Sequence, residues 1–185
     1  MRSWVKRATS SALAPFAGVV VSALSGCGSA PPPEPVGVSH VVTPEPTSGS
    51  AIDFAYDSLD ARRVARSAML GKVTVIAFVT TYDLGSQAQV NFLVAMAAHD
   101  GDKVNYALVA LEKRSERELV EVYKTNLHVT FPVALADAET MGGGGPFGDV
   151  HRIPAVVVLD AQGRMAWKKT GLAKSEEIRA AMHRL

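Results

Sequence analysis

A single cysteine, Cys27, stands among 185 residues. One thiol cannot close an intrachain disulfide, form a CxxC redox pair or build a zinc site on several thiolates. Within Tyr82-Asp83-Leu84-Gly85-Ser86, Asp83 and Ser86 bring a carboxylate and a hydroxyl to the expected start of a helix. Neither group exchanges with a disulfide in any protonation state. Both are good N-caps, and negative charge is favoured at a helix N-terminus. Two readings are open: a cap worth roughly 1 kcal/mol, or a ligand surface. His128, His151, Asp137 and Asp149 are metal-ligating types, but no HxH or HExxH spacing joins them, and scattered solvated histidines are the expectation. Ser86 with His151 and Asp149 has the residue types of a hydrolytic triad without a nucleophile elbow. The glycine run between Met141 and Phe147 has no Lys-Ser or Lys-Thr after it and no buried strand leading directly into it. It therefore reads as a mobile loop and not a phosphate cradle. Phe147 and Trp167 read as core or loop anchors rather than stacking platforms. Neither a metal nor a cofactor is called for.

The elements that must position Asp83 and Ser86 follow from hydrophobic period. Residues 73–79 form a continuous apolar, β-branched run after Gly71-Lys72, as in a strand buried on both faces. A helix is expected over 86–99, with Val90, Leu93, Val94 and Ala97 at i, i+3, i+4 and i+7. Residues 104–111 are the next strand. Ser115 and Glu118 form a capping box for a helix with Leu119, Val122, Tyr123 and Leu127 on one face. Strands at 131–136, 155–159 and 164–167 follow, with a turn at 160–163, and then a last helix capped by Ser175 with Glu176 and Glu177 in its first turn. Ahead of these, 51–56 reads as a strand, 57–60 as a turn and 62–66 as a short second strand. The order β-α-β-α-β-β-α implies an α/β fold with parallel and antiparallel pairing in one sheet covered by helices on both faces.

This domain, residues 51–185, is preceded by two other segments. Residues 1–26 carry Arg2, Lys6 and Arg7, an uncharged run from 12 to 24 and small residues at Ser25 and Gly26, the layout of a secretory signal peptide. Pro15 and Gly18 interrupt the apolar run, which is shorter than the ~20 residues of a spanning helix. Leu24-Ser25-Gly26-Cys27 resembles the lipobox of bacterial lipoproteins, which implies acylation of the Cys27 thiol, cleavage before it and a membrane anchor. The other reading is an ordinary signal peptide with an incidental cysteine. Six of the ten prolines lie between Pro31 and Pro46, so residues 27–50 read as the lipidated cysteine and an extended spacer. Without the leader, 16 basic residues face 18 acidic ones, which argues against nucleic acid as a partner. With 48% hydrophobic and 20% charged residues, the chain is neither disordered nor a multi-span membrane protein.

Several features of residues 51–185 together resemble the TlpA-like thioredoxin family. These are Gly71-Lys72 before a strand containing Phe78, a polar segment opening a helix, Phe131-Pro132 before a strand, and Val150-His151-Arg152-Ile153-Pro154 leading into Val156 to Asp160 with Gly163. In that family the Phe78 strand runs into W-C-x-x-C at the N-terminus of the first long helix, where unpaired N–H groups and the helix dipole lower a thiol pKa. On this resemblance Tyr82 replaces the tryptophan, Asp83 the first cysteine and Ser86 the second. Pro154 matches the family's cis-proline, and Ile153 before it would offer N–H and C=O groups to an extended peptide beside Asp83. The alternative is that Pro154 only shapes a strand entry.

Three functions compete. The favoured one is a membrane-anchored, redox-inactive module that binds an extended segment of an envelope protein at Tyr82, Asp83, Ser86, Ile153 and Pro154. The second is an enzyme of the thiol-disulfide oxidoreductase type with divergent or non-thiol activity; dithiol exchange itself is excluded by the missing pair. The third is a structural lipoprotein. The expected location is the bacterial cell envelope. Gly28 stands where some lipoproteins carry an inner-membrane retention aspartate, which favours an outer membrane.

Overall fold

The computed structural model describes residues 49 to 185; the expected signal peptide, Cys27 and nearly all of the proline-rich segment lie outside the described residues. Eleven elements follow in order: β1 Asp57–Ser58, α1 Arg66–Met69, β2 Thr74–Val79, α2 Leu84–Asp100, β3 Asn105–Ala110, α3 Arg117–Asn126, β4 Val133–Leu135, α4 Ala138–Met141, β5 Ala155–Leu159, β6 Met165–Thr170 and α5 Ser175–Met182. The strands form one mixed sheet in the order β1-β4-β3-β2-β5-β6. β2 pairs in parallel with β3, and β3 with β4, while β5 runs antiparallel to both β2 and β6.

β2 is central and wholly buried, so its alternate side chains feed two cores. Val75, Ala77 and Val79 face α2, α3 and α5, joining Val90, Leu93, Val120, Tyr123 and Ile178. Ile76 and Phe78 face the opposite side, with Phe54, Tyr56, Val64, Phe147 and Val150. Phe147 is 2% exposed and packs on Phe54 and Phe78 at centroid distances of 5.2 and 5.4 Å, which makes the glycine-rich loop part of the second core. Trp167 packs, partly buried, against the first.

The N-terminal expectation needs correction. Residues 51–56 make only isolated bridges at Ala51 and Ala55, and the strand is Asp57–Ser58, where a turn was expected. Phe54 and Tyr56 are drawn into the second core, and Asp57–Ser58 finds the free edge of β4. The second expected short strand is replaced by a segment ending in α1, tied back by Tyr56 N–H to the Val64 carbonyl and Arg66 N–H to the Phe54 carbonyl, both at 2.9 Å.

The α3 face is also corrected. Val120 and Tyr123 point inward, with Leu127 partly buried, while Leu119 and Val122 are 49% and 51% exposed. The apolar residues of α3 fit two overlapping stripes, and long-range polar contacts choose between them. Arg117 donates to the Ser58 and Leu59 carbonyls at 2.9 and 2.8 Å, and Lys124, seven residues on, pairs with Asp60 at 2.8 Å. These contacts put the 117–120–124 stripe against the body of the domain. The expected caps shift as well. Glu116 accepts from the Lys113 N–H across a short 3-10 turn, and Glu177 accepts from the Lys174 N–H at 2.8 Å; Ser115 and Ser175 cap nothing.

Candidate functional site

β2 ends at Val79, and the chain turns through Thr80 to Asp83 into α2. Asp83 holds extended dihedrals at the N-cap, and its Oδ2 accepts the Ser86 N–H at 2.6 Å. This satisfies one of the orphan donors of the first helical turn and places a carboxylate at the positive end of a 17-residue helix. The helix begins two residues before the expected position, so Ser86 lies inside it and is no cap. Its side chain is fully buried, and Oγ accepts the Thr80 N–H at 3.2 Å, tying the end of β2 to the first turn of α2. Ser86 therefore shapes the site from beneath and presents no hydroxyl at its surface. Tyr82 and Leu84, by contrast, are 77% and 79% exposed.

Glu112, just beyond β3, is the residue that sequence reasoning missed. It is 5% exposed, and its Oε1 accepts both the Thr81 N–H and the Thr81 hydroxyl at 2.8 Å. The site loop is thereby stapled to the strand beside β2. The signal was an acid at the end of the apolar run 104–111, at the C-terminal end of a parallel strand, where loops of α/β sheets build their sites. Tyr123 lies below, its hydroxyl buried without a partner among the described residues. Burial, then the charges of Asp83 and Glu112, push its phenol well above the ordinary tyrosine range. Thr81, Gln87, Leu119, Val122 and Asn126 border a groove of about 280 Å³ between α2 and α3. A larger cavity, about 540 Å³, opens beside Lys72 and Asn105, at the opposite end of the parallel strands.

The Ile153-Pro154 bond is cis, as the resemblance implies. Pro154 meets the α2 turn directly: a Cβ on Gly85 would lie 3.1 Å from Asp83 Oδ2 and 3.2 Å from Pro154 Cδ. Glycine at 85 lets the two sides close. The structure thus brings Asp83, Ser86 and Pro154 together around one turn. Ile153 differs from the expectation in one respect. Its N–H already donates to the His151 carbonyl at 2.9 Å, leaving the C=O as the group without a donor among the described residues.

The remaining candidates take local roles. Asp137 caps α4 through the Thr140 N–H at 2.7 Å, and His128 bonds the Thr125 carbonyl. His151 binds Asp149 and the Met141 carbonyl, while the Ser86 hydroxyl is engaged with Thr80, so no Ser-His-Asp relay is assembled. Among the described residues no three His, Cys, Asp or Glu side chains gather in a metal-binding group.

No family model matches the chain, and no sequence among curated proteins does. Solved structures do match. A DsbF homologue from Corynebacterium diphtheriae is 17% identical, with a TM-score of 0.63 over 73% of this chain and 85% of that one. A secreted Mycobacterium tuberculosis disulfide oxidoreductase homologous to E. coli DsbE is 16% identical, with a TM-score of 0.59 over 72% and 96%. A thiol:disulfide interchange protein of the thioredoxin family from Chlorobium tepidum is 18% identical, with a TM-score of 0.59 over 72% and 93%. The fold is thioredoxin-like: a mixed sheet of six strands with helices on its faces.

Proposed function

We propose that this thioredoxin-like domain is a redox-inactive binding module of the bacterial envelope, tethered through lipidated Cys27 and taking an extended segment of an envelope protein beside Asp83 and Pro154. One observation carries the reading. At the start of α2, where the resembling family has its cysteines, a carboxylate and a hydroxyl are built into the turn as cap and staple, while the surface around them stays open. Asp83 and Ser86 cannot exchange with a disulfide, so what the site keeps is shape. Tyr82 and Leu84 offer apolar area, and the Ile153 carbonyl offers an acceptor to a donor on an extended chain. The exposed Leu119 and Val122 on α3 extend the apolar area along the groove beside Thr81. Lipidation of Cys27 would hold the domain at a membrane, with an outer membrane favoured by Gly28.

The test is capture from envelope fractions by the wild-type chain against a Tyr82→Ala, Asp83→Ala variant. The reading expects a specific envelope protein retained by the first and lost by the second, with no insulin-type disulfide reduction by either. Retention by both, or catalytic thiol turnover, overturns it.

A further inference from the structure

The segment leading into Pro154 leaves α4 and passes through the glycine-rich loop; beyond the buried Phe147 and Val150 it is held by charged groups and not by a strand ladder. His151 has both ring nitrogens engaged. Nδ1 lies 3.1 Å from Asp149 Oδ1, and Nε2 lies 2.6 Å from the Met141 carbonyl oxygen. Both partners are acceptors, and a neutral imidazole has a single N–H to donate. Only the imidazolium makes both bonds. The two bonds span the loop, because Met141 closes α4 just before it and Asp149 lies at its far end.

We propose that His151 is a pH-sensitive clasp: protonated, it joins the two ends of the loop 141–150 and fixes the turn before Ile153, and deprotonated, it lets one end go. The packing fits a ring held in place. Gly143 has a φ of 86°, and a Cβ there would lie 2.5 Å from His151 Cε1, so the loop is wrapped against the imidazole. The clasp reaches the site through the backbone, since the His151 carbonyl is the acceptor for the Ile153 N–H.

The charged surroundings set the direction. Asp149 favours the imidazolium. Lys168 of β6 opposes it, its ammonium held by the Phe147 and Asp149 carbonyls at 2.7 and 2.6 Å. Arg152 is exposed beside it, and α4 contributes Glu139, next to Gly144, and Asp137, already used as a cap. The Met141 carbonyl, then the Asp149 carboxylate, raise the histidine above its ordinary value. A raised pKa means that the clasp is complete below the unfolded value of ~6.5 and lost as pH climbs through the higher folded value. The inference stands without the peptide-binding reading, since the clasp closes on the chain itself.

An NMR titration of the ¹⁵N-labelled full chain, from about pH 5.5 to about pH 9, tests it. The imidazole nitrogens of His151 and the exchange of the 142–149 amides, corrected for intrinsic pH dependence, are followed together. The expected result is a midpoint above ~6.5 with both ring nitrogens protonated below it, and loop protection falling about threefold or more through that midpoint. The amides of β5 should show no step. His151→Gln should abolish the step, and Asp149→Asn should lower the midpoint. A midpoint at or below ~6.5, flat loop protection, or a step surviving in His151→Gln would overturn the clasp.

Discussion

The two walls of the candidate site are secured in opposite ways. On the α2 side, Asp83, Ser86 and Glu112 each bind a specific backbone N–H, and Ser86 and Glu112 are buried. On the Ile153 side, the glycine-rich loop is anchored in the second core by Phe147 and Val150, and its exposed ends are held by a histidine, a carboxylate and a lysine. Buried hydrogen bonds with no competing water are costly to break, whereas exposed ionic contacts respond to pH and salt. The first wall is therefore fixed, and in the second the exposed contacts around His151 are adjustable while Phe147 and Val150 stay packed. A redox enzyme of this fold needs its reactive groups at the fixed wall. This chain has put packing groups there, in keeping with the proposal that its surface serves recognition.

The comparison breaks most visibly at Glu112. Glu112→Ala strands the part-buried Thr81 N–H and should cost about 1–3 kcal/mol in urea unfolding, with Glu112→Gln recovering most of it, because an amide oxygen can take the same bond. A loss of under about 0.5 kcal/mol would mean that the loop is not stapled. Next in size is the cap. Asp83→Ala should lose about 1 kcal/mol and Asp83→Asn much less. Equal losses in the two variants would point to charge rather than the cap bond.

A third test sharpens the geometry of the fixed wall. Replacing Asp83 and Ser86 together by cysteine sets two thiols at the helix N-terminus, where the dipole lowers the pKa below the free value of ~8.5. The double variant should form a reversible disulfide, read by mass spectrometry of alkylated samples; Asp83→Cys alone should only alkylate or dimerise, and Ser86→Cys alone, its thiol buried, should do neither in the folded state. Failure to pair without unfolding would separate this turn from the active-site turn that it resembles.

The smallest effect is expected at the other end of α2. Burial pushes Asp100 upward, but the Tyr106 hydroxyl and Arg179, at 3.0 Å, outweigh it and leave the carboxyl below its ordinary value. A depressed pKa gives stability that is present above the unfolded value of ~3.9 and lost as pH falls through the folded one. Arg179→Gln should therefore cost less than about 1 kcal/mol near neutrality, and less still in acid. A cost that grows on acidification would contradict the pairing.

What the sequence displayed and what it hid divide along contact range. The buried strands β2, β3 and β5, helix α2 and the Asp83 cap all write themselves in local pattern, and the resemblance supplied the cis bond at Pro154. The α3 period tolerates either stripe, so Leu119 and Val122 read as inward from the sequence; Arg117 and Lys124, reaching residues more than fifty positions away, make the choice. Ser86 reads as a cap or surface group from the sequence because local pattern fixes a helix start only to within a residue or two, which is enough to turn a cap into a buried staple. Glu112 and the His151 clasp depend on partners that spacing alone does not mark. Asp57–Ser58 became a strand only because β4 had an open edge.

The most direct test of a thiol-free recognition surface is photocrosslinking in intact cells from three positions, Tyr82 and Ile153 on the two walls and Leu70 as an exposed apolar control outside the site. The account predicts that Tyr82 and Ile153 trap the same envelope protein and Leu70 does not. The same adducts from all three positions, or none from Tyr82 and Ile153, would contradict it.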